Sequence, residues 1–222
     1  MNRYDAKEAA EIVDRMMVNL ATCIPTQGRA GSDARVAIGY VRANAFTLLM
    51  ADAIGPPLDE AFDLTFSSGA NLEQIEAVRV QVELEQPRSP GAVLLTQAGM
   101  NFCLATEGRI IAAMTFVSRE DVERIKQRMI APFANAEEVA ADEMDSMTFQ
   151  ALIGLHATIT NHLVKTALPL PRLLAFQFFE PLPSLVQSYR LYSDASRADE
   201  MRDANKVVHP AFCPLTGEGL SV

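Results

Sequence analysis

The sequence predicts a mainly α-helical protein: a helical bundle-like domain over residues 1–168, then a small β-α-α-β module over residues 169–222. Three observations carry that expectation. Apolar residues recur every three or four positions through most of the first two thirds, the period of a helix with one buried face. Breaks containing Pro and Gly cut this region into helix-length pieces. At Leu168-Pro169-Leu170-Pro171 the character changes, and Leu173-Leu174-Ala175-Phe176-Gln177-Phe178-Phe179 reads as a strand.

In chain order, Asp5-x-x-Glu8 reads as a capping box that opens the first helix, with Ala9, Ile12, Val13, Met16, Met17 and Leu20 on one face. That helix should stop near Cys23–Pro25, before the loop TQGRAGSD. Ser32 or Asp33 is expected to cap a second helix, whose apolar stripe is Val36, Tyr40, Ala43, Leu48 and Met50. Gly55-Pro56-Pro57 should end it. Residues 58–66 suit a short helix or turn, closed by Ser67-Ser68-Gly69.

Asn71 can cap LEQIEAVRVQVELEQ. The alternating valines there suit a strand, but the Glu, Gln and Leu content and the cap favour a helix. Pro87-Arg88-Ser89-Pro90 stops it and puts a proline where the next helix begins, a long Ala, Leu and Met stretch over 91–115 weakened at Gly99 and Gly108. Ser118 with Asp121 starts SREDVERIKQRM, with Val122, Ile125, Met129 and Phe133 aligned. Asn135 then reads as the start of one further helix, running through Leu152, Leu155, Ile159 and Leu163 to about Ala167. On that reading Glu137, Glu138, Asp142, Glu143 and Asp145 lie near a helix start, where the dipole favours negative charge. They lack the alternating ligands and glycine turn of a calcium loop.

After the strand, Ser184 opens a short helix with Leu185, Val186, Tyr189 and Tyr192. Ser193-Asp194 turns into a second, about Ser196–Ala204. Gly217-Glu218-Gly219-Leu220-Ser221-Val222 reads as a turn and a closing strand.

Composition narrows the function classes. With 222 residues, 49% hydrophobic and 21% charged, the chain can bury a sizeable core. Nineteen basic against 28 acidic residues give a net charge of -9. Nonspecific phosphate binding needs surplus Lys and Arg, so no nucleic-acid partner is expected. Cys23, Cys103 and Cys213 lie far apart and are odd in number, which suits synthesis in a reducing cytoplasm. MNRYDAKEAAE is not a secretory signal, and every apolar run is interrupted before about 18 residues, so no membrane insertion is expected.

Catalytic patterns are missing. His156 and His162 stand six residues apart, on different faces of one helix, unlike paired zinc ligands. His156 falls in the apolar stripe and reads as a half-buried, hydrogen-bonded structural histidine. There is no GxSxG, GxGxxG or GxxxxGK[ST], so neither an enzyme nor a cofactor or metal site is expected.

One segment carries a family pattern: LPRLLAFQFFEPLPSLVQSYRLYSDASRADEMRDANKVVHPAF. Its pieces are Leu170-Pro171-Arg172, Leu182-Pro183-Ser184-Leu185-Val186, Tyr189-Arg190-Leu191-Tyr192, Asp194 to Glu200, Asn205 and His209-Pro210-x-Phe212. It resembles the C-terminal part of the DNA-circularisation (DNA-circulation) protein family of Mu-like tailed phages and prophages, over about residues 100–220. Members of that family look like tail or baseplate components. The resemblance implies a structural, hub-associated adaptor of a contractile tail, present in multiple copies of a symmetric assembly, touching other tail and baseplate proteins. It would be made in a bacterial host cytoplasm and reside in the virion tail. Longer members carry a separate N-terminal domain, and residues 1–95 match nothing in the pattern.

The same segment is similar to a LysM-type module, which shares the β-α-α-β order. That likeness makes Tyr189, Arg190, Tyr192, Asp194, Arg197, Asn205 and His209 candidate interaction or glycan contacts; the preferred reading is structural, with Tyr189 and Tyr192 packed between helix and sheet, Asn205 capping or turning, and His209 capping backbone or packing. It also supplies the alternative function, a module that binds host peptidoglycan. The net charge of -9 weighs against literal DNA circularisation.

Overall fold

A computed structural model describes residues 1–25 and 27–221. Among them the protein is mainly helical, with nine α-helices, one 3-10 turn and a two-stranded sheet that closes a C-terminal β-α-α-β module. Contacts divide the chain into two compact units. The first comprises Met1–Met114 and Met129–Ile159, the second Thr115–Arg128 and Thr160–Val222. The second unit thus takes in both sides of a helical hairpin as well as the C-terminal module.

In the first unit, α1 (Arg3–Thr22) buries Ala9, Ile12, Val13, Met16, Met17 and Leu20 as the spacing predicts. Its cap is Asn2 rather than Asp5: the Asn2 side chain accepts from the Asp5 N–H at 2.9 Å. Glu8 has a different task from the expected box. Its carboxylate accepts from the backbone N–H groups of Arg88 and Ser89 at 2.8 and 2.9 Å.

The second helix, α2 (Arg29–Met50), starts one turn before Ser32 and buries Gly31, Ala34, Ile38, Val41, Ala45 and Leu49. The expected stripe is on the other side: Val36 is 70% exposed, Tyr40 52%, and Ala43 and Met50 also face solvent. At about 100° per residue, α2 carries two opposed apolar faces, and periodicity alone selected the outer one.

Gly55-Pro56-Pro57 opens α3 (Gly55–Ser67) rather than merely ending α2; proline fits a first turn whose N–H groups have no helical partner. α4 (Leu72–Glu83) is a helix with the full Asn71–Gln74 capping box, and it turns Val78 and Val82 inward and Val80 outward. α5 (Pro90–Ala113), capped by Ser89, runs unbroken through Gly99 and Gly108. At Gly99 the missing side chain makes room for a neighbour: a Cβ there would lie 2.7 Å from the Met16 sulfur. The core holds Met17, Leu20, Leu58, Phe62, Ile75 and Leu104, all fully buried. Among them the Arg79 guanidinium donates to Glu107 at 2.8 Å, an ion pair taken out of water.

Residues 118–167 form two helices that break at a place periodicity did not mark. Ser118 and Asp121 cap α6 (Arg119–Asp142) reciprocally, but the helix continues past Asn135 and through Pro132. It ends on Met144, whose φ of 56° allows Asp145 N–H to reach the Ala140 carbonyl and Met144 N–H that of Ala141. That is a Schellman closure without its usual glycine. Asp145 then caps α7 (Ser146–Ala167) by accepting from the Thr148 N–H at 3.1 Å and hydroxyl at 2.6 Å. The acidic cluster therefore sits at a helix end, not a start, and only Asp145 has the N-terminal position expected of all five. Within this hairpin the His156 ring stacks on Phe133 with centroids 4.7 Å apart, and its Nδ1 lies 3.0 Å from Glu137.

In the second unit, β1 (Leu173–Gln177) pairs antiparallel with β2 (Thr216–Leu220), Leu173 opposite Leu220 and Gln177 opposite Thr216. Between them lie α8 (Ser184–Tyr192), the 3-10 turn Ala195–Arg197 and α9 (Ala198–Ala204). The base of α6 holds the strand's start. Arg119 donates to the carbonyls of Leu170 and Leu168, and Glu120 accepts from the Leu173 N–H at 2.8 Å.

Candidate functional site

The seven candidate contacts of the C-terminal module fall into two groups. Tyr192, Asp194, Arg197 and Asn205 hold the module together. The Arg197 guanidinium lies over the Tyr192 ring at 3.9 Å, forks onto Glu200 at 2.6 and 3.0 Å, and reaches the Leu220 carbonyl at 3.1 Å. Gly219 is what lets this ring in, because a Cβ there would collide with the Tyr192 hydroxyl. Burial pushes the Tyr192 phenol above its ordinary range, against the opposing pull of Arg197.

Asp194 organises the turn between the short helices. Its carboxylate accepts from the Ser196 N–H and hydroxyl, both at 2.8 Å, while its carbonyl accepts from the Ser188 hydroxyl at 2.6 Å. The Ser196 contacts, the hydroxyl first, hold the carboxyl below the usual carboxylate range. Asn205 acts as a third rung beside β2. Its amide donates to the Glu218 carbonyl at 2.7 Å and its oxygen accepts from the Glu218 N–H at 2.8 Å. Gly217 is required opposite it, since a Cβ would overlap the Asn205 oxygen.

Tyr189, Arg190 and His209 form the second group and face solvent. Tyr189 is 62% exposed. His209 accepts from the Ala211 N–H at 3.2 Å and its ring lies 5.3 Å from that of Phe212. Tyr189 and Arg190 belong to α8, whose orientation was not legible in the sequence. α8 points its polar side chains inward: Ser184, Gln187 and Ser188 are buried, and Gln187 donates to the Pro214 carbonyl at 3.0 Å. Leu185, Val186, Tyr189 and Leu191 face outward. Tyr189, expected to pack between helix and sheet, faces outward instead because the inward side of α8 is taken by Gln187 and Ser188, whose partners are Pro214 and Asp194.

An aromatic face, a guanidinium, an imidazole and several aliphatic side chains can bind a surface. Cys23, Cys103 and Cys213 are buried, and burial raises each thiol above its ordinary range, so none is poised as a thiolate. Among the described residues no group of three His, Cys, Asp or Glu side chains could hold a metal ion, and no helix is long and apolar enough to cross a membrane. No protein-family model matches the chain, and no curated protein matches it.

Proposed function

We propose that this protein is a structural adaptor of a contractile phage or prophage tail, associated with the baseplate or hub, and that it works through protein contacts without catalysis of its own. The resemblance of residues 170–212 to the DNA-circularisation family supports the tail setting. The observation that carries the reading is the orientation of α8, with aliphatic side chains outward and polar ones inward. A short helix with that distribution leaves apolar area in water until something covers it. Phe179, Val208 and Phe212 are exposed in the same module.

Peptidoglycan binding is the second reading, favoured by the exposed Tyr189 ring, since sugars stack on aromatic faces. It loses force where Tyr192 and Asn205 are concerned, because both are engaged inside the module. Co-expression of the full chain with the proteins encoded beside its gene separates the two. The adaptor reading predicts a stable complex that Leu185→Asp or Tyr189→Asp dissolves while helical circular dichroism is kept. Sedimentation with isolated peptidoglycan, lost in Tyr189→Ala and without any protein complex, would replace it with the glycan reading.

A further inference from the structure

The two edges of the C-terminal sheet are not alike. The Phe178 N–H donates to the Leu215 carbonyl at 2.6 Å, and the Ser221 N–H to the Arg172 carbonyl at 2.7 Å. Antiparallel bonding falls on every second residue, so Leu174 and Phe176 also bond toward β2, opposite Gly219 and Gly217. The backbone groups of Leu173, Ala175 and Gln177 therefore point away from β2. Those of Thr216, Glu218 and Leu220 form the opposite edge.

On the β2 side, side chains cover the edge. Asn205 takes both the N–H and the carbonyl of Glu218, and Arg197 takes the carbonyl of Leu220. On the β1 side, Glu120 holds the Leu173 N–H at 2.8 Å. Among the described residues none bonds the N–H or carbonyl of Ala175 or Gln177, and both residues are exposed. Open strand edges are ordinarily blunted by a charge, a proline or a bulge. Leu173–Gln177 has none of these, and its register with β2 is unbroken.

An open row of alternating donors and acceptors fits one kind of occupant, another extended backbone. We propose that this occupant is β1 of a second copy, running antiparallel, with the dyad at Phe176. In that register Ala175 of each copy faces Gln177 of the other and exchanges both bonds with it. The next pair out would need the Leu173 N–H, so Glu120 closes the ladder there. The side chains match as well. Phe176 and Phe178 share one face of the strand with rings 5.4 Å apart, and Leu174, 55% exposed, continues that face. Leu174 of one copy lies opposite Phe178 of the other, an aliphatic–aromatic pair, and no like charges meet. The product is one antiparallel sheet, ordered β2-β1-β1-β2, in an isologous dimer. It stands independently of the tail setting.

A strand pair this short buries less than the roughly 1,000 Å² of a stable interface, so the dimer forms only at high concentration. Sedimentation velocity of the full chain up to about 1 mM, joined to backbone hydrogen exchange, tests it. The wild type passes from monomer to dimer and stops there. Exchange at the Ala175 and Gln177 N–H groups slows as concentration rises, while Leu173, already held by Glu120, does not change. Ala175→Pro deletes an N–H that β2 does not use. It weakens dimerisation by at least about tenfold while circular dichroism stays that of the folded monomer. Leu174→Lys, which leaves the backbone alone, is the second variant and shows the same loss. A wild type that is monomeric at about 1 mM overturns the proposal, even where a co-expressed protein then protects Ala175, because the occupant is then a foreign strand. A dimer that both variants preserve overturns it too.

Discussion

Arg79 and Glu107 pair inside the helical core at 2.8 Å, and removing one leaves the other charge without compensation in a buried place. Glu107→Ala should lose about 3–5 kcal/mol in urea unfolding, whereas the matched apolar pair Arg79→Met with Glu107→Leu should recover most of it. Asn205→Ala removes the rung beside β2, and the Glu218 N–H should then exchange with solvent faster, with the module weakened by about 1–3 kcal/mol. Asp194 sets a pH dependence. Its carboxyl is held below the usual range, so its contribution is complete at neutral pH and is lost as pH falls through that lowered value. Ser196→Ala removes the largest cause, and the Asp194 titration followed by NMR should move up toward an ordinary carboxylate. The long-range partnerships were not legible beforehand. Arg79 and Glu107, or Asn205 and Glu218, meet only because of the fold, while Asn71 could be read as a cap because the N–H groups it serves lie in its own turn.

At the scale of the element, periodicity located helices well and their faces less well. α1 buries the stripe that its spacing marks because only one of its faces is apolar. α2 has two such faces and α8 has a buried polar one, so the choice rests on neighbours that a single helix does not specify. The boundary at residues 143–145 was hidden for another reason: the left-handed position there is Met144 rather than glycine, and Asn135 imitates a cap. Moving that boundary puts Asp142 at the negative end of the α6 dipole. Asp142→Lys should accordingly raise stability by about 0.3–1 kcal/mol in thermal unfolding.

At the scale of the whole molecule, the order of elements was readable throughout: a run of helices, the proline-rich turn, and a β-α-α-β closure. What composition could not show was where the apolar residues would end. An apolar fraction of 49% fills the core of the helical unit and still leaves aliphatic and aromatic side chains outside on α2 and on α8. Those outward faces are why a contact-making adaptor is the reading best supported here. Immunogold labelling of purified particles from a strain carrying the gene tests that reading most directly. Label at one end of the tail is the predicted result, whereas particles that lack the protein, or carry label only on the capsid, would contradict it.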